Sequence, residues 1–203
     1  MKSVFLSLML ILSSSYAICQ NLNTFTQVEN LPSVATVIRP SKTIANVSLI
    51  DTFGKAFTTN NFVGHWTLLF FGYSHCPDIC PRTLTIITQA WRAIPAEFKD
   101  KHALRFIFVS LDPKNDTTLS LSKFLNRFDQ SFIGLTGDED TIKAWGKTLG
   151  IYSWQDPASP STAKLDHSAT LLLVDPQGRL HAIFSPPHQT EAIAKDLQFL
   201  LKH

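Results

Sequence analysis

The sequence predicts an α/β domain with a central mixed sheet flanked by helices. Short apolar runs of strand length alternate along the chain with longer segments whose apolar residues recur at helical spacing. In the last third, two such runs are joined by a tight turn, which indicates an antiparallel hairpin and therefore a mixed sheet. The 203 residues carry a formal net charge of +2 and no basic stripe, so nucleic acid is not an expected partner.

The N-terminus has the pattern of a secretory signal. Residues 4–12 form an apolar run, and residues 15–17 match the small-x-small pattern of a cleavage site. The run is shorter than the ~20 apolar residues that a membrane span needs. Residues 1–17 are therefore interpreted as a signal peptide, with a short membrane anchor or lipidation at Cys19 as alternatives. Each interpretation predicts an extracytoplasmic domain, in the periplasm or on the outer face of the inner membrane.

Composition divides the remaining chain into two parts. Residues 18–40 are predicted to be a flexible lead, because the stretch around them is polar and contains proline. Residues 41–203 are predicted to form one domain that is large enough to bury a sizeable core.

Strands are predicted where apolar runs are bounded by turn residues. The run from Thr67 to Phe71 is apolar without alternation, which indicates a strand that is buried on both faces. An N-terminal strand pair is predicted around the turn at Gly54-Lys55, and the hairpin turn is predicted at residues 175–178. The predicted strands are 47–51, a short strand at Phe57, 67–71, 105–111, 132–135, 169–174 and 180–184.

Helices are predicted from apolar stripes and end signals. Pro81 suits the first position of the first helix because its missing N–H is not needed there. Asp116 or Thr117 caps the second helix, Gly150 ends the third at 138–149, and a terminal helix follows the hairpin. This order is that of a thioredoxin-like domain with an inserted helix and strand and the added N-terminal strand pair.

The most informative motif is the pair Cys76 and Cys80, which stands between a predicted strand and the start of a predicted helix. Thiolates at a helix start lie near its positive dipole end, which favours the ionised form. Ionised sulfur serves both disulfide exchange and the binding of soft metals. A purely structural disulfide is the alternative, although so small a loop constrains the unfolded chain little.

His167 is the strongest candidate among the seven histidines. It stands between a loop rich in Pro, Ser and Asp (residues 154–164) and a buried strand, and its neighbours Asp166 and Ser168 can orient an imidazole. Together with a cysteine pair on the same sheet it predicts a Cys2His site for a soft metal. His75 is a weaker candidate because adjacent residues usually point apart. The histidines interpreted as incidental are His65, His102, His181, His188 and His203.

Two acidic residues near the cysteines have ordinary interpretations as well as functional ones. Asp78, between the cysteines, is a helix N-terminal acid that the dipole stabilises, or a group that orients a metal ligand. Asp112 follows a predicted strand, and it could face the site because sites in α/β sheets lie beyond the carboxyl ends of strands.

Three motifs together resemble the Sco/SenC family, the copper chaperones of cytochrome c oxidase assembly. They are the segment FGYSHCPDICPRTL at residues 71–84, the stretch at 111–117, and Asp166-His167-Ser168 with the turn at 175–178. The resemblance covers about residues 40–201 and implies a thioredoxin-like fold that binds one copper, as Cu(I) or Cu(II).

On this sequence the resemblance implies Cys76, Cys80 and His167 as the copper ligands. The implied partners are a copper-accepting subunit of cytochrome c oxidase and a copper donor protein, and a membrane tether stays an open alternative. The second function to consider is that of an extracytoplasmic thiol–disulfide oxidoreductase, in which Cys76 attacks a partner disulfide and Cys80 resolves it. His167 favours the chaperone, which has no turnover, because disulfide exchange needs no third ligand. A peroxidase of the peroxiredoxin type is disfavoured because the Thr-x-x-Cys arrangement is missing.

Overall fold

The computed structural model describes residues 32–155, 165–167 and 169–202, and it defines the side chains of all of these except 153–155 and 165–167. The predicted signal peptide, most of the predicted lead and residues 156–164 of the predicted loop lie outside the described residues. In the part of the chain that the structure describes, no helix has the length and apolarity to cross a membrane.

Strands and helices follow one another largely in the predicted order. The strands are β1 (Ala35–Thr43), β2 (Ser48–Asp51), β3 (Ala56–Thr58), β4 (Thr67–Gly72), β5 (Arg105–Ser110), β6 (Ile133–Thr136), β7 (Ser153–Gln155), β8 (Leu165–His167), β9 (Leu171–Val174) and β10 (Arg179–Phe184). The helices are α1 (Ile79–Ala93), α2 (Ala96–Lys101), α3 (Thr118–Leu125), α4 (Glu139–Thr148) and α5 (Thr190–Leu200), with a 3₁₀ turn at Thr59–Phe62.

Within the described residues, eight strands form one open mixed sheet in the spatial order β1-β10-β9-β4-β5-β6-β2-β3, and β7 pairs with β8 in a separate ribbon. The central strand β4 is parallel to β5 and antiparallel to β9. The predicted hairpin is the antiparallel pair β9 and β10, and the predicted N-terminal pair β2 and β3 extends the sheet beyond β6. The predicted fold class, an α/β domain with a thioredoxin-like order of elements, is therefore confirmed.

Aromatic side chains fill both faces of the sheet, because neighbouring residues of a strand point to opposite sides. On one face the ring of Phe70 lies 5.8 Å from that of Phe108, which in turn contacts Phe124 of α3. On the other face Phe71 contacts Trp145 of α4 at a centroid distance of 5.4 Å. The carboxyl ends of β4 and β5 are thereby fixed between two layers of helices, and the loop that carries the cysteines starts there.

The sequence prediction of a flexible lead is wrong for residues 35–40. These residues belong to β1, which pairs antiparallel with β10. The buried carboxylate of Asp196 in α5 accepts hydrogen bonds of 2.7–2.8 Å from the backbone N–H groups of residues 33–35. Both partners of this segment are distant in sequence, and its short apolar run lies in a stretch that is otherwise polar and contains proline, so the strand was not predicted.

Local details also differ from the sequence prediction. Helix α1 begins at Ile79, so Pro81 occupies its third position and not the first. Proline is still tolerated there because the first four N–H groups of a helix have no intrahelical partner. The short helix α2 and the strands β7 and β8 were not predicted, because they are too short for their apolar pattern to show a period.

Candidate metal centre

Cys76 and Cys80 lie where the chain passes from β4 to α1. Strand β4 ends at Gly72, so Cys76 is in the connecting loop, whereas Cys80 is in the first turn of the helix. The Sγ atom of Cys76 accepts a hydrogen bond from the backbone N–H of Cys80 at 3.4 Å. That N–H is one of the donors that a helix start leaves without an intrahelical partner. The sulfur of Cys76 therefore takes the place of a helix-capping oxygen.

The two cysteines are buried to different degrees, with Cys76 9% exposed and Cys80 fully buried. The pKa of the Cys80 thiol is raised above its ordinary value, first by its hydrogen bond with Cys76 and then by burial. The backbone of Tyr73 acts in the opposite direction, and the negative charge of Asp116 adds to the increase. A metal that binds both sulfurs must displace the Cys80 proton, so binding releases a proton and strengthens as the pH rises.

Gly72 allows the Cys80 sulfur to lie close to the end of β4. A Cβ atom added at Gly72 would be 2.9 Å from Sγ of Cys80 and 3.0 Å from the ring of Phe108. Neither distance leaves room for a methyl group in a close-packed interior. The packing of the buried sulfur against the sheet therefore requires glycine at this position.

A buried carboxylate ties the cysteine loop to the neighbouring strand. Asp116 is fully buried, and it accepts hydrogen bonds from the backbone N–H of Ser74 at 3.1 Å and 3.3 Å. The hydroxyl groups of Ser74 and Ser110 also donate to this carboxylate, the latter at 2.7 Å. Because β4 and β5 are parallel neighbours, the loops that follow them emerge at the same end of the sheet. Asp116 holds these two loops together.

Sequence reasoning did not identify this network, since it assigned Asp116 only to a candidate helix cap. The cap of α3 is Thr117, whose Oγ1 accepts a hydrogen bond from the backbone N–H of Ser120 at 3.2 Å. The Asp116 carboxylate is thus available to the cysteine loop. A usable signal was present, because an acid shortly after a buried strand needs a partner at the same end of the sheet.

The other candidates on or near the cysteine loop have local roles in the structure. Asp78 immediately precedes α1 and forms an exposed ion pair with Arg82 at 3.6 Å, which fits an acid at a helix N-terminus. Asp112 accepts a hydrogen bond of 2.8 Å from Asn115 in its own loop. His75 is exposed. Among the side chains that the structure defines, no three from His, Cys, Asp and Glu are grouped so that they could hold a metal.

His167 is the last residue of β8, and its backbone is paired with that of Ser153 in β7. Its imidazole lies outside the described part of the structure. The structure does describe the chain that follows: β9 begins at Leu171, which pairs with Phe70 near the end of β4. Because β9 and β4 are antiparallel, the chain enters β9 at the end of the sheet where the cysteine loop emerges. Ligation by His167 remains a prediction.

Most histidines that the sequence indicated as incidental have structural partners, whereas His203 lies outside the described residues. Burial lowers the pKa of His102 and of His181 below the ordinary value for histidine. The contacts pair His65 with the Val63 carbonyl, His102 with the Phe98 ring, His181 with the Trp66 ring, and His188 with the Ala169 carbonyl.

The fold and the cysteine pair define a thioredoxin-like domain with two sulfurs at the start of its first helix. The family model described as SCO1/SenC matches residues 36–202, and the chain belongs to this family. A Stutzerimonas stutzeri protein whose name describes it as copper-binding is 31% identical over 160 residues, which cover 79% of this chain and 78% of that protein.

Two further comparisons agree with this assignment. The mitochondrial protein SCO2 of Saccharomyces cerevisiae is 39% identical over 134 residues, 65% of this chain and 44% of that protein, so the chain spans less than half of its length. The structure of Bradyrhizobium japonicum ScoI with copper bound superposes with a TM-score of 0.68 at 35% identity, and it covers 77% of this chain and 98% of that one.

Proposed function

We propose that this protein is a copper metallochaperone that binds one copper ion through Cys76, Cys80 and His167. The observation that carries the proposal is the buried sulfur pair at the start of α1, in which the Cys76 sulfur accepts the N–H of Cys80. Thiolates are the ligands that Cu(I) prefers, and one imidazole completes a three-coordinate site from which the metal can still be released. The copper-binding name of one relative and the copper bound in ScoI support this choice of metal.

The same ligand set suits Cu(II), since imidazole is a good ligand for this oxidation state. A structural zinc site would need four protein ligands, and the sequence offers no convincing fourth ligand beside these three. Copper is the cargo of such a protein, so its ligands must bind tightly enough to collect the ion and loosely enough to pass it on.

The proposed acceptor of the copper is a subunit of cytochrome c oxidase, and the proposed source is a copper donor protein. The predicted signal peptide supports an extracytoplasmic place for this transfer, in the periplasm or on the outer face of the inner membrane. Membership of the SCO1/SenC family supports the same role.

A second candidate function, reduction of partner disulfides, is supported by the unequal environments of the two sulfurs. Cys76 is the less buried, and its sulfur accepts an N–H at a helix start, which favours a nucleophilic thiolate. Cys80 is fully buried with a raised pKa, which suits a resolving thiol that stays protonated until a mixed disulfide forms. His167 distinguishes the two functions, because only metal binding needs it.

Metal analysis of the reduced protein after loading with Cu(I) and removal of excess metal tests the proposal. We expect one copper per chain in the wild type, and loss of tight binding in Cys76→Ser, in Cys80→Ser and in the double variant, because a hydroxyl is a poor ligand for soft metals. Thr85→Ala is the control, because it removes an exposed hydroxyl from the same helix, one that donates to the Pro81 carbonyl, without loss of a ligand. Tight, stoichiometric copper in the double variant would refute the proposal.

A further inference from the structure

A chain of hydrogen bonds leads from the buried carboxylate of Asp116 to the exposed imidazole of His75. The hydroxyl of Ser74 donates to Oδ1 of Asp116, and Nδ1 of His75 lies 3.0 Å from the oxygen of the same hydroxyl. A serine hydroxyl has one proton to give. Since that proton goes to the carboxylate, the Ser74 oxygen acts as an acceptor toward His75. The hydrogen of the neutral imidazole is therefore on Nδ1.

This tautomer leaves the lone pair of Nε2 available at the protein surface. The His75 side chain is 69% exposed, although the residue that follows it, Cys76, is buried. Histidines that bind metals commonly donate their second ring N–H to a carboxylate or carbonyl, which fixes the tautomer and makes the ligating nitrogen more basic. In this protein the Ser74 hydroxyl relays that effect from Asp116.

We propose that Nε2 of His75 is an entry ligand, which takes Cu(I) from a donor and passes it to Cys76. The inference rests on the proposed copper-binding function and adds a route into the site. His75 is not a permanent ligand beside the cysteines, because among the side chains defined by the structure no three potential ligands are grouped around one point. An exposed imidazole on the residue next to a buried cysteine is suited to bind the ion briefly and then release it.

The transfer is a sequence of ligand exchanges in which copper stays Cu(I). A bond from copper to a donor ligand breaks as the bond to Nε2 of His75 forms, and this bond breaks in turn as the thiolate of Cys76 binds. The last bond from copper to the donor breaks as Cys80 binds, and the Cys80 thiol proton passes to solvent water.

The rate at which the reduced protein takes Cu(I) from its bicinchoninate complex tests the inference, followed by stopped-flow absorbance of the complex. His75→Asn keeps an N–H donor where Nδ1 was but removes Nε2, so the bond to Ser74 is retained. We expect uptake by His75→Asn and by His75→Ala to be slower by about tenfold, the lower end of the effects that removing a group around a metal site typically has. At equilibrium both variants should bind Cu(I) within about twofold of the wild type, since the final ligands are intact.

His65→Asn is the matched control, because His65 is a half-buried histidine away from the cysteine loop whose Nδ1 lies 3.1 Å from the carbonyl oxygen of Val63. Its uptake rate should equal that of the wild type. Equal rates for wild type and His75→Asn would overturn the entry role and leave the copper site itself untouched. An equilibrium affinity of His75→Asn that falls more than tenfold would also overturn it, because His75 would then be a permanent ligand. A wild-type protein that takes no Cu(I) would refute the proposed function itself.

Discussion

Replacing Gly72 by alanine tests whether the Cys80 sulfur packs against the end of β4 as the structure shows. The added Cβ would be 2.9 Å from Sγ of Cys80 and 3.0 Å from the ring of Phe108. Non-bonded heavy atoms prefer a separation of roughly 3.5–4.0 Å, so these neighbours must move by about half an ångström or more. Overpacking of this kind costs about 1–3 kcal/mol. A destabilisation of about 2 kcal/mol, the middle of this range, lowers the Tm of a domain of this size by roughly 4–8 °C.

Thermal denaturation of the reduced, metal-free protein measures this effect, and Gly146→Ala is the matched control. Gly146 lies in α4, and an added Cβ there would have its nearest neighbours at 3.6 Å, an ordinary contact with Ile151 and Phe71. Since alanine is favoured over glycine in a helix by about 1 kcal/mol, the control should melt at or above the wild-type temperature. Gly72→Ala should also bind Cu(I) more weakly, because the Cys80 sulfur has been displaced. A Gly72→Ala variant with wild-type Tm and wild-type copper affinity would refute the described packing.

Three other perturbations address the ligands and the loop that carries them. The metal-free protein should form a disulfide between Cys76 and Cys80 in air, because both sulfurs lie at one short loop. Copper and the disulfide should exclude each other. A thiol titration of the air-exposed protein that finds both thiols persistently reduced would count against the disulfide. His167→Ala should weaken Cu(II) far more than Cu(I), since two thiolates alone can hold Cu(I), while the fold survives. If competition titrations find both oxidation states bound as in the wild type, His75 becomes the next candidate for the third ligand and the reductase gains support. Asp116→Ala should lower the free energy of unfolding by about 1–3 kcal/mol for each donor left unsatisfied, and it should weaken copper binding. Unchanged denaturation and binding curves would show that this carboxylate does not position the loop.

Elements with a strong local pattern were predictable from the sequence. Strand β4 was found because its residues from Thr67 onward are apolar without a break, as a strand covered on both faces must be. Helix α4 was found because Gly150, which has a positive φ, marks its end, and in the structure Asp138 caps its start by accepting a hydrogen bond from the backbone N–H of Thr141 at 2.8 Å. In these cases the residues that define an element are close to it in sequence.

What the sequence did not predict depends on partners that are far apart in the chain. Strand β1 has only a short apolar run, and it is held by pairing with β10 and by the Asp196 carboxylate in the last helix. The role of Asp116 depends on Ser74, which belongs to the loop after a different strand. Neither contact has a local sequence pattern, because both form only once the folded sheet has brought the distant segments together. The cysteines were recognised as a pair because both lie within one short motif.

X-ray absorption at the copper edge of the Cu(I)-loaded protein shows most directly which atoms bind the copper ion. The wild type should show two sulfur ligands from Cys76 and Cys80 and one imidazole nitrogen, and His167→Ala should show the two sulfurs without that nitrogen. A wild-type spectrum without both sulfurs, or a nitrogen signal that persists unchanged in His167→Ala, would contradict the proposed copper site.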